Sequence, residues 1–227
     1  MELYHALNRG VEKRVIFLDD QDRARFVTGL ELFNDTLSID NLHRIINGVD
    51  VGPTRSNKEP LVNIHGWCLM KNHYHLLLSE VEEGGITKFL MKLNVGYAKY
   101  FNKKYKRSGT LFQSRTKKVL IAKDAHFLHI LNYIHLNPLD HSRDWRNWRE
   151  YKISFASKAI DYLNKYKWSS YHDYFNDRNF SNVTSTELFK DVFKDYPTQL
   201  KEYLDTLEID QIKPYLLENV GPTRSNI

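Results

Sequence analysis

Two histidines, His73 and His75, stand one residue apart in an apolar stretch of the chain. The pattern around them predicts a β-strand, on which alternate side chains share a face, so both imidazoles are expected to point the same way. Two neutral imidazoles at this spacing can bind one divalent metal ion and leave its other positions open to substrate oxygens. The pair alone is equally compatible with two hydrogen-bonded histidines on a strand face, because His-x-His is a common pattern.

A tyrosine and an asparagine, Tyr133 and Asn137, are four residues apart in a segment that predicts a helix. Positions i and i+4 lie on one helix face, so the phenol and the amide are expected to face one site. The amide oxygen is a ligand that a hard cation accepts beside two nitrogens. An isolated pair of this kind is more simply a helix-edge tyrosine and a C-terminal cap. Three other histidines nearby show no metal spacing and are interpreted as structural or DNA-facing: His126, His129 and His135.

These residue types together suit the cleavage of a phosphodiester bond. The reaction needs an in-line nucleophile and stabilisation of the negative charge that develops on the phosphoryl oxygens. A divalent ion meets the second need, and a tyrosine meets the first while it keeps the cleaved phosphate as a covalent ester. An ordinary tyrosine has a pKa of about 10, so a further group must assist its deprotonation. The sequence does not identify that group.

A long stretch of the chain, residues 84–123, contains no acidic residue but many lysines, arginines and aromatic residues. Positive charge neutralises phosphates and aromatic rings stack on unpaired bases, so this composition suits a single strand of nucleic acid. A solvated basic face with core aromatics is an equally good explanation of the stretch alone. The predicted DNA contacts are Lys99, Lys103, Lys104, Lys106, Arg107, Arg115, Lys117 and Lys118.

The composition limits the class of protein. A chain of 227 residues with 41% hydrophobic residues forms one domain, or one domain with an extension. No apolar run is long enough to span a membrane, and the N-terminus shows no signal-peptide pattern. With the single cysteine Cys68, a cytoplasmic location is expected, associated with the nucleoid when DNA is bound. The oligomeric state is expected to be a monomer or a homodimer.

The order of predicted elements indicates the fold. Strands are expected at 3–8, 61–70, 73–80 and 117–122, with helices after Asp19, at about 86–105 and at about 124–136. This order predicts an α+β fold, a ferredoxin-like four-stranded antiparallel sheet with helices on one face and one additional helix. The predicted domains are residues 1–146, with a loop insertion at about 47–60, and a helical C-terminal extension, residues 147–227.

One heptapeptide, Val-Gly-Pro-Thr-Arg-Ser-Asn, occurs twice, at residues 51–57 and 220–226. It is too short for a structural repeat and carries no hydrophobic pattern. One hypothesis is that both copies are translated DNA hairpins, and the alternative is a duplicated linker. A gene sequence in which neither copy can form a stem would exclude the first hypothesis.

Several segments, in order along the chain, resemble the REP-associated tyrosine transposases, which belong to the insertion sequence 200-like group of single-tyrosine HUH transposases. His65-Gly-Trp-Cys-Leu-Met-Lys-Asn-His-Tyr-His is similar to the metal-binding strand pair of that family, although Lys71 replaces a frequent proline. The other segments that carry the resemblance are residues 8–10, 16–23, 107–115, 133–138 and 167–171.

The resemblance implies a role for each matching residue. His73 and His75 correspond to the HUH metal ligands, Asn137 to the third ligand and Tyr133 to the nucleophile. The implied cofactor is Mg²⁺ or Mn²⁺, and the implied substrate is a hairpin formed by an imperfect palindrome next to a short guide sequence. The implied reaction is cleavage and rejoining of single-stranded DNA through a 5′-phosphotyrosine. The expanded loop at 47–60 and the tail beyond Phe175 depart from the family pattern.

Two other functions fit parts of the sequence. A domesticated hairpin-binding protein that no longer cleaves DNA would share the basic stretch, but it would not need all four site residues. An RNA-binding module on a similar sandwich would place its aromatic and basic residues on central strands. Here they concentrate on a helix and a loop, so this alternative ranks last.

Overall fold

The structure is a computed structural model of the chain. It describes residues 1–37, 59–122, 124–146, 148–149, 153, 155–175, 180 and 182–207. Both copies of the repeated heptapeptide, and nearly all of the predicted loop at 47–60, lie outside these residues. No helix in these ranges is long and apolar enough to cross a membrane.

Four antiparallel strands form the sheet: β1 (Leu3–Arg9), β2 (Val62–Met70), β3 (His73–Glu80) and β4 (Lys117–Leu120). Their spatial order is β2-β3-β1-β4, as expected for a ferredoxin-like fold. The tight turn between β2 and β3 brings His75 opposite Cys68 on one side, and β1 brings Leu7 opposite His75 on the other. The predicted sheet is therefore confirmed, with strand ends within two residues of the expectation.

Two helices cover one face of this sheet. Helix α1 (Asp20–Leu32) begins at Asp19, whose carboxylate accepts a hydrogen bond from Asp22 N. Helix α2 (Gly85–Lys104) crosses α1 closely, because a Cβ at Gly96 would lie 2.3 Å from the ring of Phe33. The core on this face consists mainly of large apolar side chains from α1, α2 and the even-numbered positions of β3.

The additional helix, α3 (Asp124–Leu136), lies on the opposite face of the sheet. Its close approach depends on Gly66, where a Cβ would lie 2.8 Å from Leu131 Cδ1. The odd-numbered residues of β3 point to this face, so α3 packs against the side of the strand that carries His73 and His75. A 3₁₀ turn (Asn137–His141) that contains Pro138 follows the helix.

The C-terminal part continues the packing on the α3 face. It contains α4 (Ala156–Leu163), α5 (Glu187–Lys190) and α6 (Tyr196–Thr206). Buried side chains of these helices share one hydrophobic cluster with α3 and the sheet. The domain boundary at residues 146 and 147 stays a prediction, and the cluster extends across it.

The C-terminal part also covers the outer edge of β2. Leu69 N donates to Trp168 O (3.0 Å), and Trp67 N donates to the hydroxyl of Ser170 (2.8 Å). These bonds satisfy donors that an edge strand would otherwise expose. At the other end of the sheet, no strand of the described ranges pairs with the outer edge of β4.

Candidate active site

Both histidines of β3 are buried on the α3 face, and one nitrogen of each has a partner. The Nδ1 atom of His73 lies 2.7 Å from Asn72 Oδ1, and that of His75 lies 2.9 Å from His5 Nε2. The two rings are adjacent, with their centroids 5.0 Å apart. The predicted common orientation of the pair is therefore present in the structure.

The second nitrogen of each ring has no partner among the residues that the structure describes. Nε2 of His73 and Nε2 of His75 are buried and form no hydrogen bond with any described residue. Buried polar atoms are almost always hydrogen-bonded, so two adjacent exceptions on one surface require an explanation. A bound metal ion, which accepts lone pairs, would explain both exceptions. In metal-binding histidines one ring nitrogen typically bonds to a protein partner and the other bonds to the metal.

The protonation of the pair also suits a metal. Burial, together with the charges of Arg9 and Arg149, lowers the pKa of His73 to about 3. Burial likewise lowers the pKa of His75 well below its ordinary value. Both rings are therefore neutral at pH 7, which is the form that binds metal ions.

The ring of Tyr133 stands beside this pair. Its centroid lies 5.9 Å from that of His75 and 5.9 Å from that of His5, edge-on in both cases. The side chain is 1% exposed. Burial raises the pKa of Tyr133, while the charge of Arg149 and its hydrogen bond to this side chain lower it.

The amide of Asn137 is fixed by bonds at both of its ends. Its Nδ2 atom donates to the carbonyl of Tyr133 (2.8 Å), which caps the last turn of α3. Its Oδ1 atom accepts a bond from Arg149 Nη2 (2.6 Å). The predicted i, i+4 pair therefore shares one site, and an arginine holds the amide oxygen there.

Arg149 is the residue of this site that the sequence did not reveal. Besides Asn137 and Tyr133, its guanidinium contacts the carboxylate of Asp140, which also accepts a bond from Trp148 Nε1 (2.9 Å). Arg149 lies nine positions after Asp140 in the sequence, so no helix or strand periodicity signals their contact. His5 was missed for a related reason, because its position beside His75 depends on the pairing of β1 with β3.

The residues present fit a divalent ion with a small protein ligand set. No group of three or more His, Cys, Asp or Glu side chains in the described ranges is placed to hold a metal. The two unpartnered imidazole nitrogens and the Asn137 oxygen would thus be the protein ligands, which leaves positions for water or phosphate oxygens. The Arg149 guanidinium already donates a hydrogen bond to the Asn137 oxygen, so this oxygen would bind both the guanidinium and the metal ion, or the guanidinium would move away when the ion binds.

The eight residues predicted to contact DNA differ in whether the side chain is exposed or is already bonded to another part of the protein. Lys104 bridges the carboxylates of Asp19 and Asp22, at 2.8 Å from each, and therefore ties α2 to α1. Arg107 donates to Asn102 Oδ1 (2.6 Å). The exposed members are Lys99, Lys103, Lys106, Arg115 and Lys118. A DNA contact for each of the eight stays a prediction, and Lys104 has a structural role in addition.

One of the remaining histidines of α3 is structural. His135 is buried, with Nε2 at 2.7 Å from the Ser170 hydroxyl and Nδ1 at 2.8 Å from the Tyr196 hydroxyl. This network joins the helix that carries Tyr133 to the segment that covers β2. It therefore fixes where α3 lies on the sheet.

Part of this site lies in a segment of the chain that matches a known protein family. Residues 54–137 match the family model described as "Transposase IS200 like". Among solved structures, the chain is similar to the "REP associates tyrosine transposase bound to a REP hairpin", at 12% identity and a TM-score of 0.44, over 76% of this chain and 77% of that one. No curated protein matches the chain. The family match includes His73, His75, Tyr133 and Asn137, and it confirms the resemblance of the chain to the insertion sequence 200-like transposases.

Proposed function

We propose that the protein cleaves and rejoins single-stranded, hairpin-forming DNA, with Tyr133 as the nucleophile and Mg²⁺ or Mn²⁺ as the cofactor. One observation carries the proposal. The Nε2 atoms of His73 and His75 have no partner in the described chain, and the His75 ring lies beside the Tyr133 ring on a buried surface. Those three groups supply what phosphodiester cleavage requires, which is a nucleophile and a place for a charge-stabilising cation.

Arg149 is proposed to prepare the tyrosine. Its hydrogen bond and charge favour the tyrosinate over the phenol, in opposition to the effect of burial. The tyrosinate oxygen, which has lost its proton to solvent, attacks the phosphorus, the P–O3′ bond breaks, and the 3′ oxygen takes a proton from solvent and leaves as a hydroxyl. The 5′ phosphate remains on Tyr133, and attack by a 3′-hydroxyl on this ester restores the DNA strand and the tyrosine.

The cofactor, when bound, would polarise a non-bridging oxygen of the scissile phosphate. His73 and His75 would hold it through Nε2, and Asn137 through Oδ1. His5 and Asn72 orient the two rings from behind, because each contacts the Nδ1 atom that the metal does not use.

A second function, hairpin binding without cleavage, is favoured by one observation. Tyr133 is only 1% exposed, and the Asn137 oxygen is already engaged by Arg149. A chain fixed in this arrangement would grip DNA without cutting it. Cleavage with Asn137 as a metal ligand therefore requires that Arg149 release the amide oxygen when DNA or metal binds.

The test is incubation with hairpin single-stranded DNA and Mg²⁺ or Mn²⁺, followed by denaturing electrophoresis for a covalent protein–DNA adduct. The wild type is expected to form the adduct, Tyr133→Phe to form none, and a chelator to prevent it. Tyr97→Phe is the matched control, because Tyr97 is an equally buried tyrosine on the other face of the sheet. DNA binding without any adduct in the wild type would favour the second function.

A further inference from the structure

A cavity lies on the opposite face of the sheet from the candidate active site. Its volume is about 590 Å³, and it opens between α2, the strands β1 and β4, and the chain that precedes β4. That volume is in the range of pockets that bind small ligands. No residue of the proposed cleavage reaction lines it.

The walls of this cavity are apolar and accessible. They include Leu90, Met91 and Val95 of α2 and the ring of Phe112. Met91 and Val95 are 56% and 38% exposed and lie four residues apart on one helix face. A patch of large apolar side chains on the surface indicates a binding site more often than a chance exposure.

The charged residues that line the cavity are all basic. Arg115 and Lys118 stand at it, and no acidic side chain is among the lining residues of the described chain. The Lys118 ammonium donates to the hydroxyl of Thr87 (2.9 Å), so it is held across from α2. The electrostatic potential at the opening therefore favours a ligand with negative charge outside and an apolar body inside.

Hydrogen bonds connect the floor of the cavity to β3, the strand that carries the candidate active site. Asn94 Nδ2 donates to Thr116 Oγ1 (2.7 Å), and the Tyr74 hydroxyl donates to Asn94 Oδ1 (2.8 Å). Tyr74 lies between His73 and His75 on β3, so one strand supports both sites from its two faces. Lys117 and Lys118 likewise alternate between the two faces at the open edge of the sheet.

We propose that this cavity binds one unpaired base of a DNA strand that passes around the edge of β4. The base would lie against Met91, Val95 and Phe112, while Arg115 and Lys118 neutralise the flanking phosphates. A base in a duplex is stacked and paired, so the ligand is a nucleotide in a single-stranded flank or loop. The inference rests on the proposed function only in taking DNA as the ligand, and it does not require cleavage.

The experiment measures binding of a fluorescent hairpin oligonucleotide with single-stranded flanks to the Tyr133→Phe protein, which cannot form the adduct. Unpaired positions are made abasic one at a time. Loss of the base that occupies the cavity is expected to weaken binding about tenfold, because stacking of one base on protein side chains is worth that much. Abasic sites elsewhere in the unpaired segments are expected to change binding less.

Two variants connect that base to the cavity. Met91→Glu and Val95→Glu introduce a carboxylate into its wall, so binding should weaken and the sensitive position should become insensitive to base removal. Leu18→Glu is the matched control, since Leu18 is an exposed apolar residue (55%) that does not line the cavity. It should leave both the affinity and the abasic profile unchanged.

The outcomes separate the two proposals. A single sensitive position that disappears in both cavity variants supports the base site, even when the wild type forms no adduct. A profile without a sensitive position, one that persists in Met91→Glu and Val95→Glu, or the absence of DNA binding overturns it. Binding of an acidic amphipathic peptide in place of DNA, abolished by Met91→Glu, would also overturn it and assign the cavity to a protein partner.

Discussion

On one face of β3 the hydroxyl of Tyr74 donates to Asn94 and lies 3.2 Å from the Thr116 hydroxyl, whereas on the other face the Nε2 atoms of His73 and His75 have no partner in the described chain. All three side chains are buried and belong to consecutive residues. One face therefore uses its polar atoms to stabilise the fold. The other leaves buried polar atoms unsatisfied at the point where a tyrosine and an arginine converge.

The difference shows where function is located in this fold. An unsatisfied buried nitrogen costs free energy, so a face that carries two of them gains something other than stability. The α1 and α2 face and the α3 face should consequently respond differently to substitution. Substitutions on the first should change folding, and substitutions on the second should change metal binding and catalysis.

The largest expected difference is between substitutions at His73 or His75 on one face of β3 and a substitution at Tyr74 on the other face. His73→Ala and His75→Ala are each expected to abolish cleavage of hairpin DNA and to weaken the stabilisation by Mn²⁺ in thermal unfolding. Tyr74→Phe should retain cleavage but lower the free energy of unfolding by about 1–3 kcal/mol, because Asn94 and Thr116 lose a buried partner. Cleavage that survives in both histidine variants would remove the proposed difference between the faces.

A smaller effect on metal binding is expected from substitution of His5, which contacts the His75 nitrogen that faces away from the proposed metal ion. His5→Phe keeps a buried ring but removes the partner of His75 Nδ1. Loss of such an orienting partner typically lowers metal affinity about 10–100-fold, so Mn²⁺ titration should show a weakened site in a folded protein. His135→Phe is the control from the same face, since its partners are Ser170 and Tyr196, and it should change stability and not Mn²⁺ affinity directly.

Arg149 should produce the next effect. Arg149→Met removes the cation that opposes the raised pKa of Tyr133, so less tyrosinate forms at a given pH. Single-turnover cleavage should slow near pH 7, and its pH profile should shift to higher pH. Arg143→Met, an exposed arginine six residues away, should leave the profile unchanged.

The histidine face also predicts how stability depends on pH. Burial lowers the pKa of His5, His73 and His135 to about 3, whereas unfolded histidine titrates near 6.5. Below pH 6.5 the unfolded state therefore binds protons that the folded state does not, and stability falls with pH. These three groups alone predict a loss of about 4 kcal/mol between pH 7.5 and 5.5 in metal-free urea denaturation, and the lowered pKa of His75 adds to that loss. A flat profile would mean that these rings are solvated in the folded protein.

Much of this organisation could be predicted from the sequence because it follows from local spacing. The alternation around His73 and His75 places both rings on one face, and the i, i+4 spacing brings Tyr133 and Asn137 together. What the sequence did not reveal depends on contacts between distant segments. His5 contacts His75 because β1 pairs with β3. Arg149 contacts Asn137 from twelve positions further along the chain. The close packing of α3 on the sheet depends on the absence of a side chain at Gly66.

The most direct test of the account is electron spin-echo spectroscopy of Mn²⁺ bound to the protein, which detects nitrogen atoms coordinated to the ion. Coupling to two histidine nitrogens is expected in the wild type. Coupling to one histidine nitrogen is expected in His73→Ala and in His75→Ala, and the signal of Tyr74→Phe should equal that of the wild type. A bound ion with oxygen ligands alone, or a signal that neither histidine substitution alters, would contradict the assignment of this face to metal-assisted DNA cleavage.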